Sequence, residues 1–287
     1  IITGTEATVK YSVSTKAELL TALKSAKSGE IVFVKGSSTI DMTGTPSVTI
    51  PAGVTLAGNR GLSGSSGALI KRTKNLNGGW EEPMFIAGGD NVRVTGLRLE
   101  GEMYPQDYGN GEVYPGSIHE RYYLVGLSAT GVKNFEVDNN ELRGWAWASV
   151  SLRQANAANI HHNYIHHNQA TGSGYGVYVN ANSIDHTASA IVEGNRFDYC
   201  RHVIVGSRGR SSYTFRYNYL GANCTNTQID VHGQNAGGDY LDKTSSGEYI
   251  YCAGENVKIY NNTSVCTTNP FVGIRGIPYS TGSVSVH

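Results

Sequence analysis

Charge of either sign is scarce in this sequence, and what there is cancels. Charged residues are 16% of the 287, with 23 Lys and Arg against 23 Asp and Glu and a pI near 7.3. No basic face follows from that balance, so neither nucleic acid nor an acidic membrane surface is an expected partner. No run of about eighteen apolar residues occurs, so membrane insertion is not expected either. The chain opens at Ile1 without a basic or apolar leader segment, which implies that any export signal has already been removed. Proline (7) and methionine (3) are few. None of the four cysteines, Cys200, Cys224, Cys252 and Cys266, stands in a CxxC pair, which argues against a zinc knuckle.

Glycine (36) and tyrosine (18) are abundant instead, mixed with Asn, Ser, Thr and short Val/Ile runs. Short strands and frequent turns, hence an all-β fold, are the expectation. An even cysteine count beside N-x-S/T sequons at Asn223, Asn261 and Asn262 fits a secreted or cell-surface protein.

One helical signal stands near the start. Thr15 and Glu18 form a capping box ahead of Leu19, Leu20, Leu23 and Ala26, which share one face, and Gly29 is placed to stop the helix. Ile31-Val32-Phe33-Val34 then reads as a buried strand, and short apolar runs follow at 48–50, 54–56 and 68–70.

From about residue 91 the sequence repeats itself. The pattern is apolar, any, any, Asn, any, apolar. It occurs as Val137-Asp-Asn-Asn140-Glu-Leu142, Ile160-His-His-Asn163-Tyr-Ile165, Val192-Glu-Gly-Asn195-Arg-Phe197 and Phe215-Arg-Tyr-Asn218-Tyr-Leu220. Weaker copies are Ile259-Tyr-Asn-Asn262-Thr-Ser264 and Val94-Thr-Gly-Leu97-Arg-Leu99. The Asn spacings are 23, 32, 23 and 44, which count as one coil, one coil with an insertion, one coil and two coils. A period of that length without helical patterning predicts a single right-handed parallel β-helix, a solenoid with an N-terminal capping helix. Asn at equivalent turns then stacks into an amide ladder. One domain over 1–287 is expected, with residues 1–35 as cap and first coil and with inserted loops at 101–121 and 234–246. The first loop carries Tyr104, Tyr108, Tyr114, His119 and Glu120 and is a natural groove wall; the second carries Asp239 and Asp242, two carboxylates able to help bind Ca²⁺. The segment 281–287 reads as an unfinished strand, so the natural chain is expected to continue. Cys200 and Cys224 follow their Asn by five and six residues and should lie on adjacent coils, predicting disulfides Cys200–Cys224 and Cys252–Cys266.

A second strand with strict alternation follows each Asn turn. With Val150/Leu152, Val177/Val179, Ile229/Val231 and Val272/Ile274 inward, Trp147, Ser149, Ser151, Arg153, Tyr178, Asn180, Asp230, His232 and Arg275 face out. At 202–206 either Val203 or Ile204 fits the inside.

The opening helix, Gly29-Glu-Ile-Val-Phe-Val34, Ile50-Pro-Ala-Gly-Val-Thr-Leu56 and Gly58-Asn-Arg-Gly61 resemble the first coils of pectate-lyase-like β-helix proteins. Gly144-Trp145, the stretch from His161 to Asn168, Gly174-Tyr175-Gly176-Val177, Phe197-Asp-Tyr-Cys-Arg-His202 and Asp230-Val-His232-Gly233 are similar to uncharacterised β-helix proteins. They are also similar to the disaggregatases that degrade the chondroitin-like coat of methane-producing archaea. The fold resemblance implies lyases, hydrolases, epimerases and adhesins alike. The polygalacturonase pattern of paired aspartates, Gly-His-Gly and Arg-Ile-Lys is absent, and the Asp-Pro-His of alginate epimerases is only echoed by Asp230-Val231-His232.

Cleaving a uronate chain by β-elimination needs a cation for the carboxylate, a base for the α proton and an acid for the leaving oxygen. Arg153, Arg201, Arg208 and Arg275 supply cations whose planar fork suits a carboxylate. His232 and His202 are the candidate bases, Tyr178 or Tyr175 the acid. Trp145, Trp147 and Tyr199 can floor a groove for sugar rings, and Asn180 joins the same face. Hydrolysis needs a carboxyl pair instead; Asp230 is the first member, and Glu193, Asp198 or Glu248 the second. His161, His162, His166 and His167 read as turn and ladder residues rather than metal ligands, because alternation sends neighbours to opposite sides. No metal centre or other cofactor is expected beyond a possible Ca²⁺. The leading reading is an extracellular enzyme that cleaves an acidic, uronate-containing polysaccharide by elimination. A disaggregatase-like hydrolase and a non-catalytic adhesin or sheath domain stand beside it.

Overall fold

The computed structural model describes residues 9–74, 76, 81–104, 123–233, 242–243, 249–250, 252–279 and 282–287. Three parallel sheets of ten, eight and eight strands run along the molecule, and each coil contributes a strand to each sheet in turn. The coil around Asn163 shows the plan. Ala158–His161 lies in the ten-stranded sheet, Tyr164–Asn168 in the second sheet and Tyr175–Asn180 in the third. The expected right-handed parallel β-helix is the fold.

The repeat exists because of the turn between the first two strands. At each copy the residue before the ladder position takes a left-handed backbone: Gly96 (φ 70), Asn139 (φ 56), His162 (φ 55), Gly194 (φ 63), Tyr217 (φ 54) and Asn261 (φ 53). That sharp bend buries the next side chain, which must then answer the unpaired backbone groups of the corner. Asn does so completely. Asn163 Oδ1 accepts from the Asn140 backbone N–H (3.0 Å), and its Nδ2 donates to Val137 O (2.8 Å) and to Asn195 Oδ1 (3.0 Å). Asn195 and Asn218 repeat the set on successive coils; Asn262, on the coil next to Asn218, accepts from it and donates to Phe215 O, so the 44-residue spacing is one coil with an insertion and not the two coils expected. Leu97 stands where the column ends, and its backbone N–H donates to Asn140 Oδ1 (2.9 Å).

The helix Lys16–Ser25 has the expected capping box at Thr15 and Glu18 and ends one residue before Ala26, ahead of Gly29. Leu19, Ala22 and Leu23 are buried and join the one long core that continues to Ile259, so the helix closes the first coil. Inside that core Ile204, in register with Val177 and Ile229, settles the strand left ambiguous by sequence, and Val205 faces out beside Tyr178 and Asp230.

Several expectations are corrected. Trp145 is not on the outer face: it is fully buried in the main core, its backbone N–H donating to Asn168 Oδ1 (2.8 Å). Its ring takes the space in which a Cβ at Gly101 or Gly126 would stand, which is why glycine occupies both. Ser149 is also off the outer face: it is fully buried and accepts from Asn168 Nδ2 (2.8 Å), while its neighbour Ala148 packs with Tyr175 and Tyr178. Ile274 pairs in register with inward Val231 yet is 49% exposed, since its strand is the last of its sheet. The disulfide is Cys224–Cys266 (Cα–Cα 6.0 Å), and Cys200 and Cys252 are buried thiols. Cys200 and Cys224 do pair across adjacent coils. The Cys200 side chain, however, turns into the Asn168 column, within 3.7 Å of Asn168 Nδ2 and 3.5 Å of Asp198 O, and burial pushes the thiol up to about 12. Residues 105–122, 234–241 and 244–248, with the calcium reading of Asp239 and Asp242, lie outside the described side chains. The strand Ser283–Val286 completes the ten-stranded sheet.

Candidate active site

Register turns residues far apart in sequence into rows on the outer face of the third sheet. One row is Ser128, Ser151, Tyr178, Val205, Asp230 and Gly273; the next is Thr130, Arg153, Asn180, Ser207, His232 and Arg275. Tyr175 and His202 pair on a third row at the strand starts. Two adjoining depressions follow these rows. The first, about 300 Å³, is lined by Glu81, Trp147, Arg153, Tyr175, Tyr178, Asn180, Ser207, Arg208 and His232. The second, about 340 Å³, is lined by Arg201, His202, Thr227, Asp230 and Arg275.

Asp230 sits where the two meet. It is 3% exposed, and His232 Nδ1 lies 3.0 Å from its Oδ2. Arg275 Nε donates to Oδ1 (3.1 Å), and the same guanidinium lies against Oδ2 and His232 Nδ1. Burial alone would raise the Asp230 carboxyl, but the hydrogen bonds from His232 and Arg275, with the nearby positive charge, hold it well below the usual carboxylate range. An ionised carboxylate only accepts, so in the His232–Asp230 bond the proton is on Nδ1 and Nε2 is the basic nitrogen, which requires Arg275 to give its N–H groups to Asp230 rather than to Nδ1. His202 differs. Its Nδ1 faces Thr227 O, its ring stacks on Tyr175 (5.9 Å), and burial, reinforced by Arg201, pushes it down to about 4. It is a neutral, buried imidazole.

Tyr178 is buried, accepts from Asn180 Nδ2 (2.9 Å) and carries Arg153 over its ring at 5.5 Å. Burial raises its phenol, which therefore stays protonated at neutral pH. Half-buried Trp147 meets Tyr175 (5.6 Å) and Tyr178 (6.0 Å) edge-on, making an aromatic wall. Of the sequence candidates, His232, Arg275, Asp230, His202 and Arg201 therefore gather at one place, and Arg153, Tyr178, Asn180, Trp147, Tyr175 and Arg208 beside it. Trp145 does not join them. Neither do two of the proposed second carboxyls: Glu193 pairs with Arg216 on the ten-stranded sheet, and Asp198 holds Asn223 at the second. Glu248 lies outside the described residues. Among the groove residues that escaped the sequence reading are Ser207 and Glu81. Ser207 follows once the 202–206 register is known; Glu81, just before the strand Glu82–Ala87, left no periodic signal.

The four histidines form two separate neighbouring pairs, on the ten-stranded and second sheets. Glu136, Asp138 and His161 bring ligand atoms together, but Arg93 already occupies both Asp138 oxygens (2.8 Å each). No described helix is long and apolar enough to cross a membrane.

No protein-family model matches the chain, and no curated protein matches it. Among solved structures it is similar to the alginate lyase from Paenibacillus sp. str. FPU-7, at 15% identity and a TM-score of 0.53, over 93% of this chain and 98% of that one. It is also similar to the ORF18 protein of Geobacillus virus E2, at 16% identity and a TM-score of 0.54, over 90% of this chain but only 47% of the longer viral one. At such identities the likeness is one of fold, and it places the chain among parallel β-helix proteins.

Proposed function

We propose that the chain is a polysaccharide lyase that cleaves an acidic, uronate-containing glycan by β-elimination along the third sheet. The observation that carries this reading is the row joining Arg153, His232 and Arg275, with buried Asp230 fixing the His232 tautomer and Tyr178 one row away. The fold-level likeness to an alginate lyase over nearly the full length of both chains supports it. In this reading a sugar carboxylate is held by Arg153 and Arg208, which stabilise the charge that develops when the α proton leaves. His232 Nε2 takes that proton. Tyr178, kept protonated by burial, donates to the leaving glycosidic oxygen. Asp230 and Arg275 position His232, His202 supports Tyr175, and Trp147 offers its ring to a sugar face.

A disaggregatase-like hydrolysis has less support. It requires two carboxyl groups over one bond, one of them protonated, whereas Asp230 is held ionised and Glu193 and Asp198 belong to other faces. Export is part of the proposal and rests on the Cys224–Cys266 bond and the sequons. The test is incubation with alginate, polygalacturonate and chondroitin while following both the ultraviolet signal of an unsaturated uronate and new reducing ends. Both signals together are expected. Reducing ends alone would replace elimination with hydrolysis, and neither signal would leave a binding domain.

A further inference from the structure

We propose that Glu81 stands in for the substrate's carboxylate: it pairs with Arg153, and it admits only a sugar that brings a carboxylate to replace it. This inference rests on the lyase reading and names the device that selects its substrate class.

Glu81 is the groove's own acid. Its Oε2 pairs with Arg153 Nη2, and the charge of Arg208 reaches it as well. All three line the first depression with Tyr178, Asn180, Ser207 and His232. The adjacent Glu82 is tied elsewhere, to buried Arg72 and to the Leu76 backbone N–H (2.9 Å), so of this pair only Glu81 faces the groove. Its backbone is left-handed (φ 59), a conformation that is strained for a residue with a side chain and that clusters at functional sites.

The chemistry explains why the pair would exchange. Burial raises the Glu81 carboxyl against the pull of Arg153, so its charged form is poorly solvated where it sits. A uronate arriving at Arg153 replaces one carboxylate by another, keeps the guanidinium paired and lets Glu81 swing to water. A neutral sugar has nothing to put in its place. Displacing Glu81 would leave a half-buried Arg153 without its anion, and leaving Glu81 bound keeps the subsite closed. The selection is therefore made by a penalty on the wrong ligand.

The test is calorimetric titration of the whole chain with trimannuronate, trigalacturonate and cellotriose, in wild type, Glu81→Gln, Glu81→Asn and Arg153→Gln. Asn suits a left-handed backbone, so Glu81→Asn remains informative if Glu81→Gln folds poorly. The wild type should bind at least one uronate trimer and not cellotriose. Both Glu81 variants should bind that trimer about tenfold more tightly, a gain of about 1.4 kcal/mol. Combining Glu81→Asn with Arg153→Gln should abolish the gain. Equal or weaker binding by folded Glu81 variants, beside a wild type that binds, overturns this inference and leaves the lyase reading intact. Cellotriose binding as tightly as a uronate trimer to the wild type overturns it too. If no variant binds any uronate trimer, the lyase reading itself fails and takes the inference with it.

Discussion

In the proposed mechanism His232 acts through the nitrogen that lacks the proton, and the bond to Asp230 favours Nε2 for that role. Asp230→Asn removes the charge that draws the proton to Nδ1 and that neutralises Arg275. Cleavage should fall at least about a hundredfold with the fold retained, measured as kcat on the best acidic glycan. His202 makes a different prediction. Its folded-state pKa, about 4, lies below that of a free imidazole, so the unfolded chain binds the extra proton between about pH 6.5 and 4. Stability is fully present above that window and falls through it, by on the order of 3 kcal/mol. Half-buried Glu102, its enclosed carboxyl pushed up to about 8, acts in the opposite sense as pH rises, so only the difference between wild type and His202→Gln isolates the histidine. Urea unfolding at pH 7.5 and 4.5 should show the smaller acid loss in His202→Gln. The tryptophans separate core from surface. Trp145→Ala should cost about 3–5 kcal/mol by leaving a cavity, while Trp147→Ala should weaken glycan binding with a much smaller change in unfolding free energy. Alternation could not tell them apart, because both precede the strand Ala148–Arg153 and they stand two residues apart. It also missed Glu81, which stands just before the strand Glu82–Ala87 with a left-handed backbone that no repeat registers.

Among the elements, the Asn turn was the most legible in sequence, because one geometric problem recurs at each corner and one side chain solves it. The left-handed residue, the buried amide and the next apolar position come as a unit, so four strong copies sufficed to predict the ladder. Asn163→Ala strands the Asn140 N–H and Val137 O inside the core. It should cost about 3 kcal/mol in urea unfolding, whereas Asn159→Ala, on the outer row of the ten-stranded sheet, should cost under about 0.5. The capping helix was legible for a similar reason: Thr15, Glu18 and the Leu19/Leu23 face are all local. The disulfide was not. Spacing put Cys200 and Cys224 on neighbouring coils correctly, but it carries no information on side-chain direction, and the Asn168 column claims Cys200.

Across the whole molecule the solenoid turns sequence distance into adjacency: Arg153, Asn180, Ser207, His232 and Arg275 span four coil steps and form one line. In the proposed reading a glycan lying along that line meets the arginines and the base, with the Tyr178 phenol on the adjoining row, two strands before His232. Elimination breaks the chain without consuming water; hydrolysis adds one oxygen from water at every cut. The most direct measurement is therefore digestion of alginate, polygalacturonate and chondroitin, with mass analysis of the fragments. Fragments whose new non-reducing end is an unsaturated uronate, one water lighter than a saturated fragment, are predicted, and saturated new non-reducing ends would contradict the proposed chemistry.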